Sequence, residues 1–372
     1  MPALRPDVDP DGLLEYSVVY TDRSLNHMSQ SFQQVMRELS RLLKRTYNAH
    51  SSIIVPGSGT FGMEAVARQF ATDASCLIVR NGWFSYRWTQ ILDQGRIAAA
   101  TQVLKAQRQG SDAHSPFAPA PIDEVVAAIH AERPAVVFAP HVETSAGVLL
   151  PDDYLRQLAE AVHAVDGLLV LDCIASGTVW VDMQSTGVDV LISAPQKGWS
   201  ASPCCAMVML SERARAHIEH TSSSSFAADL KRWLGIMETY ENGGHAYHAT
   251  LPTDGLTRLY HTIQEMEQDG FDTLEQAQWA LGRRVRALLA ERGYPSVAAA
   301  GFEAPGVVVS YTRESDLVPR FAAQGVQIAA GVPLMCDEGD DFQTFRIGLF
   351  GLDKLEDIDG AVTRFAQALD AL

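Results

Sequence analysis

The chain has 372 residues, 47% hydrophobic and 20% charged, which is enough for two domains and a large core. A formal net charge of −16 argues against nucleic acid or an anionic membrane surface as a partner, since either needs a basic face, but it leaves room for a local basic pocket for a small anion. The five cysteines (Cys76, Cys173, Cys204, Cys205 and Cys336) are odd in number and lack CxxC spacing, so neither a disulfide framework nor a metal site is expected.

Residues 1–13 are rich in Pro and Asp and read as part of an amino-terminal arm, taken as 1–25. This stretch has no apolar signal-peptide core, and no run in the chain approaches a membrane span, so a cytoplasmic location is expected. Helical periodicity runs from Asn26 to about Thr46 through Met28, Phe32, Val35, Met36, Leu39, Leu42 and Leu43. Short apolar runs at 75–80, 135–139, 167–172, 188–193 and 205–210 read as strands, with helical patterns near 60–72, 83–94, 121–132 and 151–164. Continuous apolar strands are buried on both faces, so the expectation is an α/β fold with a mostly parallel sheet flanked by helices, spanning 26–251. From about 252 the pattern changes to two long helices (about 253–268 and 270–292), a strand at 306–311, a helix near 315–324, the segment Phe345-Arg-Ile-Gly and a last helix at 356–371. These elements read as a smaller C-terminal α+β domain, 252–372.

Two positions carry chemistry that the bland reading of strand-end residues does not need. Asp172 ends the apolar run Gly167-Leu-Leu-Val-Leu-Asp, and Lys197 follows the run Val188-Asp-Val-Leu-Ile-Ser-Ala-Pro-Gln-Lys. A lysine past one buried strand and a carboxylate at the end of a neighbouring one meet the needs of pyridoxal 5'-phosphate chemistry. The lysine forms a Schiff base with the aldehyde, and the carboxylate keeps the pyridine nitrogen protonated. Gly57-Ser-Gly-Thr-Phe-Gly62 formally matches the dinucleotide fingerprint GxGxxG. That fingerprint needs an acidic residue at the end of the next strand, where this chain has Arg80-Asn81-Gly82. Without a ribose partner, Ser58, Gly59 and Thr60 read as a cradle for one phosphate at a helix start.

The whole pattern resembles the class V, fold-type I pyridoxal-phosphate aminotransferases, in particular the alanine–glyoxylate/serine–pyruvate branch, from about residue 50 onward. The resemblance implies the following roles. Gly57-Ser-Gly-Thr is the phosphate loop. Asn81-Gly-Trp-Phe-Ser-Tyr-Arg87 carries the ring that stacks on the cofactor, with Phe84 in that role and Trp83 as the alternative. His141-Val-Glu-Thr-Ser-Ala-Gly147 is similar to the family's His-Gly-Glu-Ser-Ser-Thr-Gly and puts Thr144 beside the cofactor. Asp172 partners the pyridinium, Gln196 bonds the phosphate and Lys197 forms the aldimine. Tyr247-His-Ala-Thr250 resembles the Tyr-x-x-Thr element that reaches the phosphate of the neighbouring subunit, which implies a homodimer with its active site at the interface. Arg346 corresponds to the arginine that grips the substrate α-carboxylate; the bland reading is an ion pair with Glu338 or Asp341.

The implied reaction moves an amino group between alanine or serine and glyoxylate or pyruvate. A lyase or cysteine desulfurase on the same fold is the alternative, since Cys336 lies ten residues before Arg346, and epimerase activity is another. The acidic setting Met335-Cys-Asp-Glu-Gly-Asp-Asp would raise its thiol pKa rather than lower it. The chain departs from the family at 15–27, where relatives carry Pro-Gly-Pro. There Arg23 reads as a solvated turn residue or as a reader of a second acidic group, and His27 as a candidate pocket residue.

Overall fold

The protein is described from a computed structural model covering residues 7–372; the first six residues of the expected arm lie outside the described part. Seven strands form the central sheet: β1 (Ser51–Pro56), β2 (Ser75–Arg80), β3 (Ala100–Lys105), β4 (Val136–Pro140), β5 (Leu168–Asp172), β6 (Val190–Ser193) and β7 (Cys205–Leu210). Their order is β1-β7-β6-β5-β4-β2-β3. The pairings from β6 through β3 are all parallel, while β7 is antiparallel to both β6 and β1. Six strands therefore point one way and only β7 runs against them.

Every residue of β4, β5, β6 and β7 is buried, as continuous apolar strands covered on both faces require. Neither β1 nor the edge strand β3 is among the strand runs expected from the sequence, and for β3 the reason is plain. Its residues, Ala-Thr-Gln-Val-Leu-Lys, are exposed or half-buried, so no apolar run marks it. Among the helices, α1 (Gln30–Tyr47) starts where the Ser29 hydroxyl accepts the Phe32 N–H at 3.1 Å and stops at Asn48 in the left-handed region, φ 50°. Helix α2 (Gly59–Phe70) packs on β7, and α3 (Trp83–Gly95) packs on β2 and β4. A helix at Leu230–Glu241 lies against α1 and β1, buried through Trp233, Leu234, Met237 and Tyr240.

After residue 252 two long helices, Thr253–Asp269 and Phe271–Glu291, lead to β8 (Val307–Tyr311), β9 (Ala329–Ala330) and β10 (Thr344–Gly348). These strands make a three-stranded antiparallel sheet in the order β8-β10-β9. No helix of the described residues is long and apolar enough to cross a membrane.

This topology places the site. Because β1, β2, β4, β5 and β6 share one direction, their carboxyl ends meet along one edge of the sheet. The phosphate-loop candidate follows β1, Asn81-Gly82 follows β2, His141 follows β4, Asp172 ends β5 and Lys197 follows β6. Ligands of open α/β sheets bind outside that edge.

Candidate active site

A cavity of about 230 Å³ opens at the carboxyl edge, lined by Ser58, Gly59 and Thr60 on one side, Phe84, Arg87 and Thr144 on another, and Asp172, Gln196 and Lys197 at its base. Eight positions that the sequence reading assigns to the cofactor thus line one cavity. Tyr247 and Thr250 do not line it; Tyr247 is 54% exposed, and its hydroxyl is 3.2 Å from Thr250 Oγ1.

The candidate phosphate loop is built from backbone. Gly57 has φ +125°, a conformation that favours glycine, and turns the chain into α2. A Cβ on Gly59 would meet Ile174 Cδ1 at 2.5 Å, so the helix start sits tight against the β5 loop. Ser58 is the N-cap of α2, yet its side chain makes no capping bond, which leaves the hydroxyl and the first N–H groups of the helix free for an anion.

Lys197 is held by the close packing of its neighbour. A Cβ on Gly198 would lie 1.9 Å from the Gly177 carbonyl oxygen, so only glycine allows this approach of the two backbones. Burial pushes the Lys197 amine below the ordinary lysine value, nearby Asp172 opposes the shift, and Arg346 and Arg87 reinforce it. Burial likewise pushes the Asp172 carboxyl up to about 6, against the pull of the Ile174 N–H that it accepts at 2.9 Å. A buried carboxylate of this kind gains from a cation beside it, and a protonated ring nitrogen is one.

Phe84 gathers the cations of the site. Arg87 Cζ lies 4.8 Å from its ring centroid, Arg346 Cζ 5.7 Å and Lys197 Nζ 5.9 Å. Trp83 packs against Tyr86 in a tilted contact at 5.7 Å and does not line the cavity, so Phe84 is the ring that faces it. The ring is aimed by Glu143, which is fully buried and accepts the N–H groups of Phe84 and Ser85 at the start of α3. Gly82 leaves room for this carboxylate: a Cβ there would meet Ser145 Oγ at 2.1 Å and Glu143 Cγ at 2.7 Å. His141, packed below, is held neutral by burial, its pKa pushed down to about 4, with Nδ1 2.7 Å from Ser176 Oγ.

Arg346 sits mid-strand in β10, paired with Val309 and Ala329, and its Nε donates to the Ala330 carbonyl at 2.9 Å. The ion pair with Glu338 or Asp341 weighed from the sequence does not form. Glu338 instead accepts the N–H groups of Leu334, Met335 and Cys336. That pins the loop carrying Cys336, which is buried, with Sγ 3.4 Å from the Arg80 carbonyl oxygen. Burial pushes this thiol up to about 12, so it holds no thiolate for sulfur chemistry near neutral pH. Arg23 faces Asp22 at 3.7 Å with both side chains exposed, as a solvated turn. His27 is buried between Tyr20, His245 and Tyr247, outside the cavity.

One functional candidate was missed from the sequence. Arg87 follows Phe84 by three residues on the same face of α3, a spacing that on its own also describes a solvated helix face. Its Nη1 donates to Thr60 Oγ1 at 3.2 Å.

The strand order and the lysine, aspartate and phosphate cradle at the sheet's carboxyl edge are those of a fold-type I pyridoxal-phosphate enzyme. The profile of the family "Aminotransferase class-V" matches residues 12–359, and the chain belongs to that family. Alanine–glyoxylate aminotransferase 1 of Saccharomyces cerevisiae is 26% identical over 83% of this chain and 82% of its own length. The alanine–glyoxylate aminotransferase of Oryctolagus cuniculus is 24% identical over 93% of this chain and 86% of its own length. Among solved structures, ureidoglycine–glyoxylate aminotransferase from Bacillus subtilis superposes with a TM-score of 0.78, 20% identity, and coverage of 96% of this chain and 87% of the other. The protein is therefore an enzyme that transfers amino groups and depends on pyridoxal phosphate.

Proposed function

We propose that the chain exchanges an amino group between a small amino acid, alanine or serine, and glyoxylate or pyruvate. The observation that carries this reading is Arg346, a guanidinium with no carboxylate partner among the described residues, placed over the same aromatic ring as Lys197. One planar fork suits one α-carboxylate. The relatives named for alanine and glyoxylate support the same pair.

When bound, the cofactor supplies the aldehyde that captures the substrate amine and the ring that accepts the electron pair left at Cα. Arg346 orients the carboxylate. Lys197, its pKa lowered by burial, would act as the general base that takes the Cα proton. Asp172 would keep the ring nitrogen protonated, Phe84 would lie against the ring, and Ser58, Gly59, Thr60 and Gln196 would hold the phosphate.

The site is proposed to be completed in a homodimer, with Tyr247 and Thr250 entering the partner's cavity. Their exposure outside their own cavity supports this. So do the exposed apolar side chains Leu13, Tyr16 and Val18 of the arm and Phe61 beside Thr60, which a second copy would cover. Loss of the visible cofactor band on adding single amino acids, without an acceptor, tests the substrate. Alanine and serine are expected to discharge the band fastest, and a response confined to dicarboxylic or aromatic amino acids would overturn the assignment.

A further inference from the structure

We propose that Arg87 is the cation that binds the cofactor's phosphate and locks the phosphate loop to the stacking ring. Four observations lead there. Arg87 lines the cavity beside Ser58, Gly59 and Thr60. Its only hydrogen-bond partner among the described residues is the Thr60 hydroxyl, on the first turn of α2. Its guanidinium carbon lies 4.8 Å from the Phe84 centroid, which holds the side chain beside the ring. No carboxylate among the described residues neutralises it through an ion pair, although the chain as a whole is strongly acidic.

Charge matching selects the anion. The cavity brings together Lys197, Arg87 and Asp172, and the Arg346 guanidinium lies 5.7 Å from the Phe84 ring that lines it. With the cofactor bound, Asp172 would pair with the ring nitrogen, Lys197 would be engaged at the aldehyde, and Arg346 would serve the substrate carboxylate. The phosphate, with close to two negative charges, is otherwise met only by neutral donors: the α2 N–H groups, Ser58, Thr60 and Gln196. Arg87 is the remaining cation on that side. A planar fork donates to phosphate in bidentate geometry through its in-plane N–H groups, while the guanidinium stays beside Phe84. This assignment does not depend on which amino acid is the substrate.

The test uses the full-length protein stripped of cofactor and titrated separately with pyridoxal phosphate and with pyridoxal, which lacks the phosphate. Arg87→Met should weaken pyridoxal phosphate binding roughly 10- to 100-fold, the value of a charged hydrogen bond, and pyridoxal binding less than about twofold. Arg87→Lys should recover part of the loss, because it keeps the charge without the fork. Inorganic phosphate should raise the melting temperature of the stripped wild-type protein and not that of Arg87→Met. Equal weakening of both ligands would mean that Arg87 only props Phe84 and would overturn the proposal. Unchanged binding of both, or full phosphate stabilisation of Arg87→Met, would also overturn it.

Discussion

The carboxylate of Glu143 accepts both the backbone N–H and the hydroxyl of Ser85, at 2.9 and 2.7 Å, and so clamps the first turn of α3 from across the sheet edge. The same carboxylate takes the Phe84 N–H at 3.1 Å and the N–H and hydroxyl of Ser145 at 3.0 and 2.7 Å. Five donors converge on one side chain with no exposure. It thereby serves as the helix cap that Gly82 lacks a side chain to provide.

Glu143→Gln keeps the shape but replaces one acceptor oxygen with an NH2 group that faces donors. A buried polar group left without a match costs about 3 kcal/mol. Urea denaturation should show a loss of that order, and the loosened α3 should weaken cofactor binding through Phe84. A variant with unchanged stability and unchanged cofactor affinity would refute the clamp.

The Asp172 carboxyl makes a pH prediction whose sign follows from its raised pKa. In the cofactor-free protein the folded value is about 6, against 3.8 for the free side chain. Below about pH 4 both folded and unfolded states are protonated, and the group costs nothing. As the pH rises toward 6 the unfolded chain releases its proton first, so stability falls. Above about pH 6 the full cost is in place, on the order of 3 kcal/mol. Asp172→Asn should therefore stabilise the cofactor-free protein above about pH 6 and leave it unchanged below about pH 4. Urea midpoints at the two pH values check this; an equal effect at both would remove the titration of Asp172 as the cause.

How far the site could be read in the sequence depended on whether a residue's role was set by its own strand. Asp172 and Lys197 stand where continuous apolar runs stop, and the phosphate loop stands between an apolar run and a helix, so local pattern located all three. The polar edge strand β3 and the helix at Leu230–Glu241 were passed over. The first lacks an apolar run because one of its sides has no partner strand. The second has clear helical spacing in Trp233, Leu234, Met237 and Tyr240, which could have revealed it. Arg87 and Glu143 gain meaning only from what lies across the cavity, the Thr60 hydroxyl and the start of α3, and no one-dimensional spacing carries that.

Lys197 should behave as an unusually basic-form amine. Burial lowers its pKa, so its neutral, nucleophilic fraction grows at lower pH than for exposed lysines. In stripped protein, capture of pyridoxal phosphate at Lys197, fixed by borohydride and read by peptide mass spectrometry, should rise with pH through a midpoint below that of surface lysines. Lys197→Ala should give no such adduct, and turnover should fall by roughly 10²- to 10⁴-fold or more, the usual worth of a general base. A midpoint at or above that of surface lysines would contradict the burial argument.

Arg346→Gln removes the fork while keeping one donor and most of the stem. If the guanidinium grips the α-carboxylate, KM for the amino donor should rise about 10- to 100-fold, as expected for loss of a charged hydrogen-bonded pair. The slow reaction with a simple alkylamine, which has no carboxylate to grip, should change little. Equal losses for both amines would instead mean that Arg346 supports the Phe84 ring, over which its guanidinium lies.

The two-subunit site can be tested by mixing broken copies. Lys197→Ala lacks the amine but keeps Tyr247 and Thr250, and a Tyr247→Phe, Thr250→Ala double variant keeps Lys197. If the Tyr-x-x-Thr element serves the partner's cavity, a heterodimer of the two contains one cavity with wild-type Lys197 and, from the other subunit, wild-type Tyr247 and Thr250. Co-refolding the two variants should then restore activity well above the sum of the separate proteins, approaching a quarter of the wild-type level, since about half the subunits pair as heterodimers and each has one repaired cavity. If instead the element acts within its own chain, every cavity in every mixture carries a defect, and no recovery appears. The exposed placement of Tyr247, beside the buried His27 on the arm side and away from its own Lys197 cavity, favours recovery.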